Sequence, residues 1–474
     1  MVAWTTRCGT CRRRKIKCDQ QWPACGQCQK SRQSCPGPPD KLKFVVNGTP
    51  ASSSQIARLN KSKPSTKPLT TLNDHPVFYR SIPRTYAGNV GAELVSLLAS
   101  QPKTFGFPGF AQLLAHTPAM LDGSPALVKA VAYLSDARRR QQTSPQPDMK
   151  LDLKLHGSAL QGLRMAFQDP NQLTRIETLL ATIILWKIEA TIVTPSKLAP
   201  LVAASSVHAG GTAYILESLG PEAARNKIVL NIILDSLADL SSYYYARDQS
   251  CFMASPRWQQ FFSGHKGLGT VNTLLFKILR PMALFPDVMR GLRRYYLGQI
   301  EHEYIRSRVQ QMCDAVRSFE APVQNIIKDA SLVAKSAPHS SESPVDEVYR
   351  TEDFAVSRLC CVHAVTILTT NNMLSALDGH VSEEIRRKNR SMSERIWKFH
   401  EQAADVGSYG MHYYPSALIL SYESAQSRET EDWIVGLLNL VQGRKPATHM
   451  MWTREEIAVR CKGTRGVVSS PRPS

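Results

Sequence analysis

The 474-residue chain has no uninterrupted apolar run long enough to cross a bilayer. The best candidate, Leu179 to Val193, is broken by Lys187 and Glu189, so no membrane span is expected. The first ten residues, MVAWTTRCGT, have no apolar stretch of the kind a secretory signal needs, and none is expected there. Catalytic signatures are missing too. His302-Glu303 lacks the second histidine of an H-E-x-x-H zinc site, and Gly264-His265-Lys266-Gly267-Leu268-Gly269 fits neither a P-loop nor a dinucleotide fingerprint. Gly407-Ser408-Tyr409-Gly410 is not a nucleophile elbow. No enzyme is expected. Acidic residues are scarce at one end. Residues 1–85 hold three aspartates and no glutamate against 16 Lys/Arg, which is +13 of the chain's net +19. The other 389 residues carry only +6. Such asymmetry predicts a nucleic-acid-binding end joined to an ordinary globular body.

That basic end is also poor in apolar side chains. Residues 1–35 offer Val2, Trp4, Ile16, Trp22 and a few alanines. So short a domain needs a staple, because burial alone does not offset chain entropy. Cysteine is what it has. Six of the chain's eleven cysteines, Cys8, Cys11, Cys18, Cys25, Cys28 and Cys35, fall within 28 residues. Their spacing is C-x2-C-x6-C, six residues, then C-x2-C-x6-C: one half-unit written twice. Without a secretory signal the compartment is expected to be reducing, where clustered cysteines bind metal more often than they pair. A structural zinc takes four ligands in a tetrahedron. Six thiolates serve one zinc with two to spare, or two zincs if two sulfurs bridge. The doubled half-unit favours two. Six thiolates and two divalent ions leave a cluster charge of about −2, and the surrounding cations keep the module basic.

The stretch 8–35 resembles the fungal zinc binuclear cluster DNA-binding domain, a fold of two short helices and loops around two zincs. The resemblance rests on all six cysteines, the run CRRRKIKCD, Pro23 two residues before the fourth cysteine, and the closing Cys35-Pro36-Gly37. It implies that Cys8 and Cys25 bridge, that Cys11 and Cys18 complete one zinc, and that Cys28 and Cys35 complete the other. It also implies that Pro23 shapes the loop between the halves. A short helix after Cys11 is expected to project Arg12, Arg13, Arg14, Lys15 and Lys17, with Ile16 turned inward. Such a helix fits the major groove, where Lys or Arg bonds guanine O6 and N7. By resemblance Lys15 is the base reader and the site is a CGG-type triplet. Arg12, Arg14 and Lys17 are assigned to phosphates, which position the module without reading sequence. The basic run taken alone also suits nuclear import.

Residues 46–90 read as a flexible linker, punctuated by Pro50, Pro64 and Pro68. Ile56 and Leu59 form one a/d-like pair before Pro64. Three or more heptads are needed for a coiled coil. Binding as a monomer, or as a homodimer through the body, is what remains. Residues 91–460 show helical periodicity throughout, with runs at 125–140, 226–246, 287–320, 353–377, 383–406 and 430–442, so a large all-α regulatory domain is expected. Leu173, Ile176, Leu180 and Ile183, broadened by Leu179, Ile184 and Ile188, mark a buried helix. The segment 154–220 resembles the fungal-specific transcription factor domain, through KLHGSALQGLRMAF, IETLLATIILWKIEAT and a turn-like His208-Ala209-Gly210-Gly211. A mobile acidic-polar loop is expected near 335–352 and a disordered tail over 461–474.

The expected function is a sequence-specific, zinc-dependent transcription regulator in the nucleus. Its partners are double-stranded DNA and the transcription machinery, and resemblance points to a metabolic or secondary-metabolite gene cluster. The competing expectation is a helical protein- or ligand-binding scaffold whose cluster gives only non-specific chromatin retention.

Overall fold

The fold comes from a computed structural model, which describes residues 8–19, 25–35, 85–100, 113–143, 152–191, 206–264, 268–411, 413–443 and 451–465. Pro23, most of the linker at 46–90 and residues 466–474 lie outside the described residues. The chain divides into two compact units, residues 1–80 and 81–474.

The described residues of the first unit form two one-turn helices, Gly9–Arg13 and Gly26–Lys30. Its interior is sulfur. Five of the six cysteines are buried, and Cys35 and Ile16 pack half-buried against them. No hydrocarbon core stands behind this cluster among the described residues.

The second unit is helical. Its only sheet among the described residues is a two-stranded antiparallel ribbon, Ala334–Ser336 with Val348–Arg350. The ribbon brackets most of the acidic-polar stretch 335–352, within which Val345, Val348 and Tyr349 are buried. The 25-residue helix Phe354–Asp378 packs against Thr270–Met282, His302–Arg317, Glu383–Trp397 and Tyr414–Ser421. Asp353 caps its start by accepting from Ala355 N, and Gly379, at φ 74°, ends it in the left-handed region. It, rather than 179–193, is the helix among the described residues whose length and apolarity would suffice to cross a membrane, yet 78% of its most apolar window is buried inside the protein. It also carries buried Ser357, His363, Thr366, Thr369, Thr370 and Asn371, which are bonded to neighbouring elements or to the helix itself.

The helix Ile176–Thr191 is buried from Leu179 through Ile188. Each fully buried Leu or Ile there contributes about 1.5–3 kcal/mol. Lys187, which breaks the apolar run in sequence, is buried with Asp235 at 2.9 Å. Asp235 is held in turn by Arg358 at 3.2 Å.

Two helical runs divide. The run expected over 287–320 forms Phe285–Tyr296 and His302–Arg317, broken where Gly298 takes φ 69°. The run 383–406 forms Glu383–Trp397 and His400–Gly410. The turn-like Gly210-Gly211 pair is not a turn. Both residues lie inside the helix Ser206–Leu219, where a Cβ on Gly211 would come 3.2 Å from Phe167 and 3.3 Å from Thr182. These glycines let helices approach closely, a role that shares its sequence signal with turn formation.

Candidate metal centre and nucleic-acid interface

The cysteine spacing produces two convergent sulfur sets. Cys8, Cys11, Cys18 and Cys25 form one, and Cys8, Cys25, Cys28 and Cys35 form the other, each with its ligand atoms within 4.8 Å of one another. Cys8 and Cys25 belong to both. Cys8 Sγ lies 3.7 Å from Cys25 Sγ and 3.6 Å from Cys28 Sγ, and Cys11 Sγ lies 3.6 Å from Cys25 Sγ. A tetrahedron with Zn–S bonds of about 2.3 Å has S···S edges of about 3.8 Å. The spacing therefore fits two all-thiolate zinc tetrahedra sharing an edge, and thiolate is the soft donor that zinc accepts. Among the described residues no other group of three or more His, Cys, Asp or Glu side chains converges in this way.

The helices aim the sulfurs. Cys11 N donates to Cys8 Sγ at 3.2 Å, and Cys25 N donates to Cys35 Sγ at 3.4 Å. Burial among the sulfurs pushes the Cys11 thiol up to about 12, and it raises Cys25 and Cys28 as well. Zinc binds the deprotonated sulfurs, so metal binding releases protons and its affinity rises with pH.

The two halves are also joined by polar contacts that spacing alone does not reveal. Thr10 Oγ1 donates to Ser34 O at 2.9 Å. The Asp19 carboxylate accepts from Gly26 N through both oxygens, at 3.1 and 2.9 Å, and caps the second helix. Arg14 Nη1 donates to Ser31 Oγ at 2.9 Å.

The half-units share one helix ending. Ile16 N donates to Cys11 O at 3.1 Å, and Gln33 N donates to Cys28 O at 3.0 Å. Each is the six-to-one bond of a Schellman cap, and the residue before each donor must be left-handed. Those residues are Lys15 at φ 55° and Arg32 at φ 49°. Each stands seven positions after the first cysteine of its half. The repeat thus extends beyond sulfur to the backbone. The matched spacing was the available signal; neither residue is a usual turn former.

The helix Gly9–Arg13 contains Cys11, Arg12 and Arg13, and Arg14, Lys15 and Lys17 follow it. The expected helix thus begins before Cys11 and ends early. Arg13, Arg14, Lys15 and Lys17 are exposed, whereas Ile16 is half-buried against the cysteines. The side chain of Arg12 lies outside the described residues. The arrangement is a sulfur core of a size to hold metal, with a strip of cations on the segment between two of its ligands. A strip of this kind attracts a phosphate backbone.

No curated protein and no solved structure matches the chain. A known family does match its N-terminal part, and that family consists of DNA-binding transcription regulators rather than enzymes. Residues 6–43 are a fungal Zn(2)-Cys(6) binuclear cluster domain, so the chain carries the zinc-held DNA-binding module of a transcription factor.

Proposed function

We propose that this protein is a nuclear transcription regulator whose cluster reads CGG-type triplets in the major groove. The observation that carries this reading is the pair of four-sulfur sets sharing Cys8 and Cys25, with exposed Arg13, Arg14, Lys15 and Lys17 on the segment between two ligands. In the proposal Cys8 and Cys25 bridge two zincs. Cys11 and Cys18 complete one, and Cys28 and Cys35 the other. Lys15 bonds guanine O6 and N7, while Arg12, Arg14 and Lys17 hold phosphates and Arg13 adds to the positive field. Pro23 sets the loop between the halves. The expected linker ends before residue 86, where the helix Tyr86–Ser100 begins and buries Val90, and the body runs past residue 460 to include buried Cys461 in the helix Arg454–Gly463; through this regulatory body the protein dimerises and meets the transcription machinery. A metabolic or secondary-metabolite gene cluster is the proposed target.

The test uses the zinc-loaded full chain. Metal analysis should return two zincs per chain, and selection from random duplexes should return CGG-containing sites. Lys15→Ala should lose about 1–3 kcal/mol at those sites only. A single zinc, or equal losses on every sequence, would reject specific reading in favour of non-specific retention.

A further inference from the structure

A large cavity lies in the helical body, and its lining includes none of the residues assigned a role above. It is an open groove of about 1130 Å3 between the helices His400–Gly410 and Arg428–Gly443, closed at one side by residues 339–342 and Arg350. Part of its lining is apolar. Trp433, Leu437 and Leu440 recur at helical spacing, so one face of a helix supplies all three. Leu440 is 50% exposed. Gly436 sits among them, and a Cβ there would meet nothing within 4 Å. Trp433 is held edge-on against the His400 ring, with centroids 5.2 Å apart.

The rim is acidic. Glu342, Glu401, Asp405, Glu429 and Asp432 line the groove against one cation, Arg350. Some of this charge is answered. Arg350 bonds Asp405 at 2.6 Å and Glu401 at 3.3 Å, and Arg454 pairs with Asp432. Glu342 and Glu429 have no cationic partner among the described residues. Residues 86–474 are basic overall, at +6, so the groove opposes the charge of the body that holds it. A concave site of one sign with low-dielectric walls concentrates ligands of the other sign.

We propose that this groove is a docking site for a cationic amphipathic helix of a partner protein. The apolar face of that helix lies on Trp433, Leu437 and Leu440, and its Lys or Arg side chains face Glu342 and Glu429. This is the helix-in-groove mode of recognition. Size and openness argue against a metabolite, because small-molecule pockets span about 300–1,000 Å3 and enclose most of their ligand. Charge argues against a second copy of this chain. A two-fold interface would set one acidic groove on another.

The test is independent of DNA reading. Full-length, zinc-loaded protein is titrated against a fluorescein-labelled 16-residue Leu/Lys peptide designed as an amphipathic helix, with fluorescence anisotropy as the readout. Two control peptides accompany it: a scrambled sequence of the same composition, and a version with Glu for Lys. The amphipathic cationic peptide should bind at least tenfold more tightly than either control. Glu342→Lys/Glu429→Lys should weaken it at least tenfold, and Leu440→Ser several-fold, with circular dichroism and DNA binding unchanged. Both acidic residues are exposed, so neither change removes core packing. Equal binding of the scrambled peptide, or no loss in the charge-reversal variant, would overturn the proposal. Displacement of the peptide by spermidine at matching concentration would overturn it in favour of a small organic cation.

Discussion

Lys15 and Arg32 show how one backbone position serves two ends. Each closes a Schellman cap in the left-handed region, where an L-residue costs roughly 1–2 kcal/mol and glycine is the usual occupant. A strained non-glycine position is a reason to look for a use of the side chain. The two halves allow the question to be asked twice. Lys15→Gly and Arg32→Gly should each relax the backbone and leave the zinc-bound fold as stable or more stable, by up to about 1 kcal/mol. Only Lys15→Gly should abolish selection of CGG-containing duplexes. Zinc competition measures the first effect and anisotropy on paired cognate and non-cognate duplexes measures the second. Equal loss of selection in both variants would mean that the halves share the reading.

At the scale of the element, the helix Phe354–Asp378 holds a titratable group in the core. His363 Nε2 lies 3.2 Å from Val316 O, and its Nδ1 lies 3.0 Å from Arg395 Nη1. A guanidinium only donates, so Nδ1 accepts, and the proton is assigned to Nε2, where it is shared with the carbonyl. The neutral ring satisfies both neighbours. Burial, reinforced by Arg395, lowers the His363 pKa to about 4. The unfolded chain protonates this ring near 6.5. Between those values the unfolded state binds the extra proton, so stability is complete above about pH 6.5 and falls as pH drops towards 4. The loss is at most about 3 kcal/mol. His400, also lowered by burial, acts in the same direction. Urea titrations at pH 7 and pH 5 should show the loss. His363→Gln, which can still donate to Val316 O and accept from Arg395, should reduce it. A variant with an unchanged pH slope would place the titration elsewhere.

The same elements show what sequence reading captures. Repeated apolar spacing finds the buried helix Ile176–Thr191 because one period of 3.6 governs it, but the stripe also takes in Leu173, which ends the separate short helix Pro170–Leu173. The same spacing merged 287–320 into one helix because the break depends on a single left-handed glycine, Gly298. It took Gly210-Gly211 for a turn because glycine marks turns and close helix contacts alike. The ribbon strands, three residues each, are too short to display a two-residue period. Cysteine spacing was legible in full because ligand geometry fixes separations along the chain. The Arg14–Ser31 and Asp19–Gly26 contacts were not, since they depend on how the two half-units face each other.

At the scale of the whole molecule, the chain joins two units stabilised in different ways. The body buries a continuous hydrocarbon core around the helices 125–143, 176–191, 227–246 and 354–378. The first unit buries sulfur, with Ile16 as the sole hydrocarbon side chain packed on it among the described residues. For a unit without a hydrocarbon core, metal-binding free energy is folding free energy. Stripping zinc should therefore divide the protein's behaviour. After treatment with a strong chelator at neutral pH, DNA binding should disappear, and residues 8–35 should become accessible to thiol alkylation at six cysteines. The body's five cysteines, Cys251, Cys313, Cys360, Cys361 and Cys461, are all buried in its fold and should stay unreactive. The body's thermal transition should not move, because none of its described side chains forms a metal cluster. Mass spectrometry of alkylated peptides, together with calorimetry of the same sample, reads both halves of the prediction. A lowered body transition on chelation, or protection of the six N-terminal thiols without metal, would show that zinc is not what folds the first unit.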